Sequence, residues 1–202
     1  MRVQEYLADP CGKLSVPYWK WIRLTLPPDM RIIHDREFEP MTGYTDACFF
    51  RLYHDLRNIP ETVVPGLEIV TIGHDDHESV LRILRASYPG IRVDGAWLKQ
   101  LTATPVYAPE LWRLAVMDGI PVGCVLADCD PHAREGILEW VQILPQYRRR
   151  GIAKALVCDV LRRMDADFAT VSGDRENPSK PEVLYRSCGF TGKDVWHILR
   201  RK

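Results

Sequence analysis

From Gly66 onward, hydrophobic and polar positions follow regular periods. Leu67-Glu68-Ile69-Val70-Thr71-Ile72 alternates as a strand, and Gly73-His74-Asp75-Asp76 then introduces a helical pattern at Val80, Leu81 and Leu84. Residues 91–101 predict a second short helix. Trp112–Val116 and Val122–Ala127 read as two strands joined through Asp118-Gly119, a dipeptide suited to tight hairpin turns. Residues 137–144 predict the next strand. Between Gly151 and Met164, a broad apolar face (Ile152, Leu156, Val157, Val160, Leu161, Met164) stands opposite Lys154, Asp159, Arg162 and Arg163, the pattern of a half-buried helix. A strand at 169–172, a short helix from Glu182 to Ser187 and a closing strand near Val195–Leu199 complete the pattern.

Residues 1 to 66 are less regular and rich in aromatics. Tyr18, Trp19 and Trp21 precede Pro27-Pro28, which blocks helix continuation there. Phe49, Leu52, Tyr53 and Leu56 recur at three- and four-residue spacing after an N-cap candidate at Thr45 or Asp46, so a helix is expected here. Trp19, Trp21 and Phe49 have no large core of their own to enter. The segment 1–66 is therefore read as an N-terminal extension packed on a core formed by 67–202. The element order is mixed α/β, of the α+β kind, without internal repeats.

Composition narrows the function classes. The 202 residues carry 27 Lys+Arg against 27 Asp+Glu, which leaves no net field to favour nucleic acid or an anionic membrane. The N-terminus lacks the apolar region of a secretory signal, and no stretch is long enough to span a bilayer. A cytoplasmic protein with no membrane partner is expected. Six cysteines (Cys11, Cys48, Cys124, Cys129, Cys158, Cys188) lie far apart without Cys-x-x-Cys spacing, so reduced, mostly buried thiols are expected. The pairs His34-Asp35, His54-Asp55 and His74-Asp75 recur at a spacing of twenty, but their surroundings do not repeat. Helix capping explains Asp75 or Asp76 more simply, and no metal is expected. Trp112, Trp140, Trp196 and His197 are read as core or sheet-face residues.

The segment Ile143-Leu-Pro-Gln-Tyr-Arg-Arg-Arg-Gly-Ile-Ala153 sets a strand end, a turn begun by Pro145, a basic cluster and a small-residue helix start in succession. Gly151 lets a backbone approach a ligand, Ala153 adds little bulk, and the amides of a helix's first turn suit phosphate oxygens, with arginines as counter-charge. Three arginines are by themselves also consistent with a solvated turn. In context, the chain resembles the GNAT acetyltransferase superfamily. Arg148-x-x-Gly151-x-Ala153 is similar to its pyrophosphate loop and Ile143-x-Pro145 to its strand end. Tyr147 precedes the loop, and Leu184-Tyr185-Arg186-Ser187-Cys188-Gly189-Phe190 looks like its Leu-Tyr-x-x-x-Gly-Phe.

The resemblance covers roughly residues 67 to 202. It implies a central mixed sheet flanked by helices, with two parallel strands splayed to admit the pantetheine arm of acetyl-CoA. It assigns that arm to the backbone of Val141, Gln142 and Ile143, and the pyrophosphate to Arg148, Arg149, Arg150, Gly151, Ile152 and Ala153. Asn177 is a further cofactor candidate, although it stands eight residues before Tyr185, one further than in many relatives.

Acetyl transfer to an amine needs a proton acceptor for the nucleophile and a donor for the departing thiolate. Period-two alternation along Ile137–Ile143 places Glu139 on one face with Val141 and Ile143, and apolar neighbours there would raise its pKa above the free value of about 4.3. Glu139 is the base candidate; a solvent-facing carboxylate at a strand edge is the alternative. Tyr185 matches the family's general acid, and a phenol of pKa about 10 stays protonated at neutrality. The expected activity is N-acetyl transfer from acetyl-CoA to a primary amine of a small molecule or peptide. The competing reading is a non-catalytic acyl-CoA-binding module, and a homodimer formed through residues 1–66 stays open.

Overall fold

In the computed structural model, residues 3–15, 18, 26–87 and 90–202 are described. Along them run α1 (Val3–Leu7), β1 (Met30–His34), β2 (Tyr44–His54), β3 (Leu67–Thr71), α2 (His77–Ser87), α3 (Gly95–Thr102), β4 (Arg113–Met117) and β5 (Ile120–Asp130). They continue with β6 (Glu135–Ile143), α4 (Ile152–Arg163), β7 (Phe168–Asp174), α5 (Pro181–Ser187) and β8 (Thr191–Arg201). This is the mixed α+β order expected from the pattern, with the flanking helices that the resemblance implies. Two units form. One comprises Met1–His54, Thr170–Arg186 and Phe190–Lys202, and the other comprises Asp55–Ala169 and Ser187–Gly189.

In the second unit the strands lie in the order β6-β5-β4-β3, each antiparallel to its neighbour. The hairpin between β4 and β5 turns through Asp118 and Gly119, both left-handed at φ 50° and 73°, as the dipeptide predicts. β5 is buried without a break from Val122 to Asp128, because α2 and α4 both pack on it. The core joins Val80, Leu81, Ile83 and Leu84 of α2 to Leu98 of α3 and to Trp112, Leu114, Cys124 and Leu126 of the sheet. Asp76 starts this helical segment by accepting from the Gly73 amide at 2.8 Å, the capping role expected for it.

Helix α4 is pinned as well as packed. Ile152, Ala155, Leu156, Val157, Val160 and Leu161 are buried. The buried Arg113 of β4 reaches α4 through Nε, donating to Asp159 Oδ2 at 2.9 Å, and donates from its other nitrogens to the Ile69 carbonyl and the Thr71 hydroxyl. A buried guanidinium with a partner for each of its three nitrogens holds the helix to the sheet.

In the first unit the order is β1-β8-β2-β7. β1 pairs with one edge of β8, Met30 opposite Arg200 through His34 opposite Trp196. β2 pairs with the other edge, Tyr44 opposite Arg201 through Arg51 opposite Asp194. The helix expected over Phe49–Leu56 is therefore a strand through His54. Its apolar residues are consecutive as well as spaced by three and four, and Phe50, Arg51 and Leu52 are all buried, as a strand covered on both faces requires. The cap candidates serve the ladder instead: Thr45 Oγ1 donates to the Arg200 carbonyl at 3.2 Å, and Asp46 contacts His197.

Arg51, almost fully buried, donates to the Pro10 carbonyl, Tyr6 Oη, Thr170 Oγ1 and Ser172 Oγ at 3.1–3.3 Å, tying the N-terminal segment to β7. Tyr6 and Tyr18 stack with centroids 4.0 Å apart, and Trp196 Nε1 donates to the Cys11 carbonyl at 3.1 Å. Trp19 and Trp21 lie outside the described residues. Of the six cysteines, all with free thiols, four are buried and Cys48 and Cys129 are half-buried.

Candidate functional site

In the second unit, β6 hands the chain to α4 through one compact turn. β6 ends at Ile143, after which Pro145–Tyr147 forms a single 3-10 turn, with the Tyr147 amide donating to the Leu144 carbonyl at 2.9 Å. Arg149 then takes left-handed backbone at φ 63°, and Gly151 follows at φ 82° as the N-cap of α4. Side chains tend to avoid that region and glycine does not, so the glycine of the basic motif stands where the chain must turn left-handed to start the helix. A Cβ on Gly151 would stand 3.4 Å from Val64 Cγ2, an ordinary contact, so the constraint is backbone conformation and not space.

The arginines divide their roles. Arg148 folds back, Nε donating to the Ile143 carbonyl at 3.0 Å, and so buttresses the strand end. Arg150 donates to the Gln146 carbonyl at 3.2 Å while its guanidinium lies 5.1 Å from the Tyr147 ring centroid. Both hold the turn together. Arg148, Arg149, Arg150 and Gly151 are exposed, Ile152 is buried and Ala153 is half-buried. No carboxylate occurs between Leu144 and Val157, whereas Arg148, Arg149, Arg150 and Lys154 do. Arg148, Arg149, Arg150 and Lys154 thus fall in or just after the turn that leads into the amide-rich, positive end of a twelve-residue helix.

Along β6, Val141 stands opposite Val125, Gln142 opposite Cys124 and Ile143 opposite Gly123 on β5. The pairing slips between Leu126 and Ala127, which face Trp140 and Leu138, so Glu139 is the extra residue of a bulge. Strict alternation consequently does not run through Glu139, and the carboxylate is exposed and not sunk among apolar side chains. Bulges re-aim side chains, and they gather near active sites.

Tyr185 and Asn177 belong to the first unit. Tyr185 sits in α5 at 7% exposure, its ring 6.0 Å from Phe50 and 5.8 Å from Phe190 in tilted and edge contacts. The Phe190 amide donates to the Tyr185 carbonyl at 3.1 Å, so the Gly189-Phe190 end of the motif closes α5 over its own tyrosine. Asn177 is occupied locally: its Oδ1 accepts from the Ser179 amide at 2.9 Å and the Ser179 hydroxyl at 2.7 Å, shaping the turn around Pro178.

Several residues that build this turn carry no sequence signal. Val64 beneath Gly151, the Gln146 carbonyl taken by Arg150 and Ser87 donating to the Ile143 carbonyl at 3.4 Å are contacts between segments of ordinary composition. The bulge at Glu139 is likewise set by pairing with β5 and is invisible in β6 alone.

Residues 109–192 match the family model of the acetyltransferase (GNAT) domain. No curated protein matches the sequence. Solved structures share the fold. A GCN5-related N-acetyltransferase from Sphaerobacter thermophilus is 24% identical at a TM-score of 0.67, over 79% of this chain; the match spans only 53% of that protein. A putative GNAT-family acetyltransferase from Novosphingobium aromaticivorans is 20% identical at 0.60, over 96% of this chain and 81% of its own. Arabidopsis thaliana Naa50, in complex with the bisubstrate analogue CoA-Ac-MVNAL, is 16% identical at 0.51, over 68% of this chain and 99% of its own.

Proposed function

Because residues 109–192 match the family model of the GNAT acetyltransferase domain, we propose that this chain is an N-acetyltransferase that moves acetyl from acetyl-CoA to a primary amine. The observation that carries the reading is the turn from Arg148 to Ala153. A left-handed glycine opens α4, Arg148, Arg149, Arg150 and Lys154 lie along this stretch of sequence, and no acid occurs in it from Leu144 to Val157. These groups fit the pyrophosphate of a coenzyme A thioester. In this reading the amides from Arg149 to Ala153 take the phosphate oxygens, and the backbone of Val141–Ile143 orients the pantetheine arm. Acetyl-CoA supplies the activated thioester.

The protein's own part is proton management. Glu139 accepts the proton that the amine loses as its nitrogen bonds to the acetyl carbon. Tyr185 gives its phenolic proton to the sulfur as the C–S bond breaks. The acceptor is a primary amine of a small molecule or peptide, a class that the analogue bound by Naa50 makes reasonable. One observation favours the rival reading, a module that binds acyl-CoA without turnover: Tyr185 is buried between two phenylalanine rings, as a purely packing residue would be. Thiol release from acetyl-CoA across a panel of primary amines decides the matter. Amine-dependent release supports the enzyme, and tight binding with no release for any amine supports the module.

A further inference from the structure

On the ladder between β2 and β8, Cys48 stands opposite His197, and Asp46, two residues earlier on the same strand face, stands opposite Leu199. Three atoms of metal-ligand type meet there. Asp46 Oδ2 lies 2.9 Å from His197 Nδ1, Cys48 Sγ lies 3.7 Å from the same nitrogen, and Cys48 Sγ lies 3.9 Å from Asp46 Oδ2. Among the described residues this is the one trio of His, Cys and acidic side chains whose ligand atoms all lie within 4.8 Å of one another. The far side of the imidazole is also held. Nε2 is 3.2 Å from Asp35 Oδ1, and Phe38 stacks on the ring with centroids 3.6 Å apart and planes 3° from parallel.

The geometry points to a site for a tetrahedral divalent transition ion of the zinc class, ligated by Asp46, Cys48 and His197. With metal–sulfur near 2.3 Å and metal–nitrogen or –oxygen near 2.0 Å, neighbouring ligand atoms of a tetrahedron stand about 3.3–3.6 Å apart. The three observed distances bracket that span, so side-chain shifts of about half an ångström close the site. Thiolate with imidazole and carboxylate selects zinc-like ions over magnesium and calcium, which take oxygen. Asp35 completes the arrangement as a positioning residue. By accepting from Nε2–H it holds the ring so that, once the ion has displaced the proton on the Asp46 side, the Nδ1 lone pair points at the ion. Stacking by Phe38 fixes the ring's plane.

Ion entry displaces to solvent both the Cys48 thiol proton and the proton shared by His197 Nδ1 and Asp46 Oδ2, and thiolate plus Asp46 carboxylate then balance the dication. Asp46, with its side chain 34% exposed, leaves the fourth corner open to water. The ligands come from β2 and from β8, the last strand of the chain. The ion therefore staples segments some 150 residues apart in sequence, and its expected effect is on stability.

The test uses the reduced full-length protein, stripped with a chelator and titrated with Co²⁺ and then Zn²⁺. Expected are one equivalent of bound cobalt with tetrahedral visible absorption and a thiolate-to-cobalt near-ultraviolet band, displacement by zinc, and a higher melting temperature with zinc than with chelator. Cys48→Ser should lose the near-ultraviolet band, Cys129→Ser should keep it, and Asp35→Asn should weaken affinity by about 10–100-fold with the band retained. No band in the wild-type protein at one equivalent, or an undiminished band in Cys48→Ser, overturns the site. Should Cys48→Ser fail to give a folded circular dichroism spectrum, Asp46→Asn is read in its place, and unchanged cobalt affinity there overturns it equally.

Discussion

The turn that opens α4 and the ladder that joins β2 to β8 are built in opposite ways. In the turn, Arg148 bonds five residues back to Ile143 and Arg150 four residues back to Gln146, and a single left-handed glycine sets the direction. In the ladder, the hydrogen bond between Asp46 and His197 spans 151 positions, and Arg51 reaches Thr170 across 119. A motif of local contacts writes its shape into adjacent residues. Long-range pairing writes its shape into composition that suits more than one local structure, which is how an aromatic strand came to carry helical spacing.

The largest expected effect tests the two residues to which the proposed proton transfers are assigned. Tyr185→Phe should lower turnover by roughly 10²–10⁴-fold, the usual range for lost general acid–base catalysis, with acetyl-CoA still bound. Steady-state thiol release and calorimetry on the same preparation check both halves of that statement. Glu139→Gln keeps shape but removes the base, so the acidic limb of the rate–pH profile should change. A near-normal rate with that limb intact would assign the base elsewhere and show that the bulge at Glu139 is structural.

Next comes the anchor of α4, which owes nothing to the motif. Arg113→Ala strands the Ile69 carbonyl and the Thr71 hydroxyl and removes one of the two guanidiniums on Asp159, because Arg163 still donates to it at 3.0 Å. The expected loss is about 3 kcal/mol, the low end for breaking a buried pair, since Asp159 keeps a partner. Urea unfolding followed by circular dichroism measures it. A loss below about 0.5 kcal/mol, the level of an ordinary surface substitution, would show that packing alone holds the helix.

What was legible follows this division. Asp118-Gly119 announced its hairpin and the apolar stripe of Gly151–Met164 its helix, because each is a local rule obeyed locally. Unread were the strand nature of Phe49–His54 and the bulge at Glu139. Pairing energy with β8 or β5 decides those and overrides local spacing. His197 was read as a sheet-face residue and is one, yet its neighbours Asp35, Asp46 and Cys48 could be known only from register.

The sheet interior offers a pH test of intermediate size. Burial pushes the Cys124 thiol from its ordinary 9.0 up to about 12. Below pH 9 the folded and unfolded chains both hold that proton. Between pH 9 and about 12 the unfolded chain releases it and the folded one does not, so stability falls as pH rises. By pH 10 the loss from this group is about 1.4 kcal/mol, one pH unit's worth. Desolvation raises Cys129 and Tyr107 as well, and their contributions have the same sign. The quantity to measure is therefore the difference in alkaline slope between wild type and Cys124→Ala, in denaturant midpoints from pH 8 to 10. Equal slopes would mean that the thiol ionises as readily inside as outside.

The smallest effect falls on the motif itself, where Gly151→Ala adds one methyl group. Its Cβ meets Val64 at an ordinary distance, so the cost is the left-handed conformation at φ 82°, about 1 kcal/mol. If the turn keeps its shape, that cost appears as lost stability with acetyl-CoA affinity intact. If α4 instead restarts with a right-handed cap, the amides turn away, and affinity falls by about fivefold, the equivalent of 1 kcal/mol. Gly151→Asp separates shape from charge, since it adds a carboxylate beside the proposed pyrophosphate at nearly the same backbone cost. Calorimetric affinity for acetyl-CoA should then fall further than in Gly151→Ala, and the gap between the two should shrink as salt rises. Equal affinities for Gly151→Asp and wild type in a folded protein would remove the turn as the anion site, leaving the local motif a structural cap like any other.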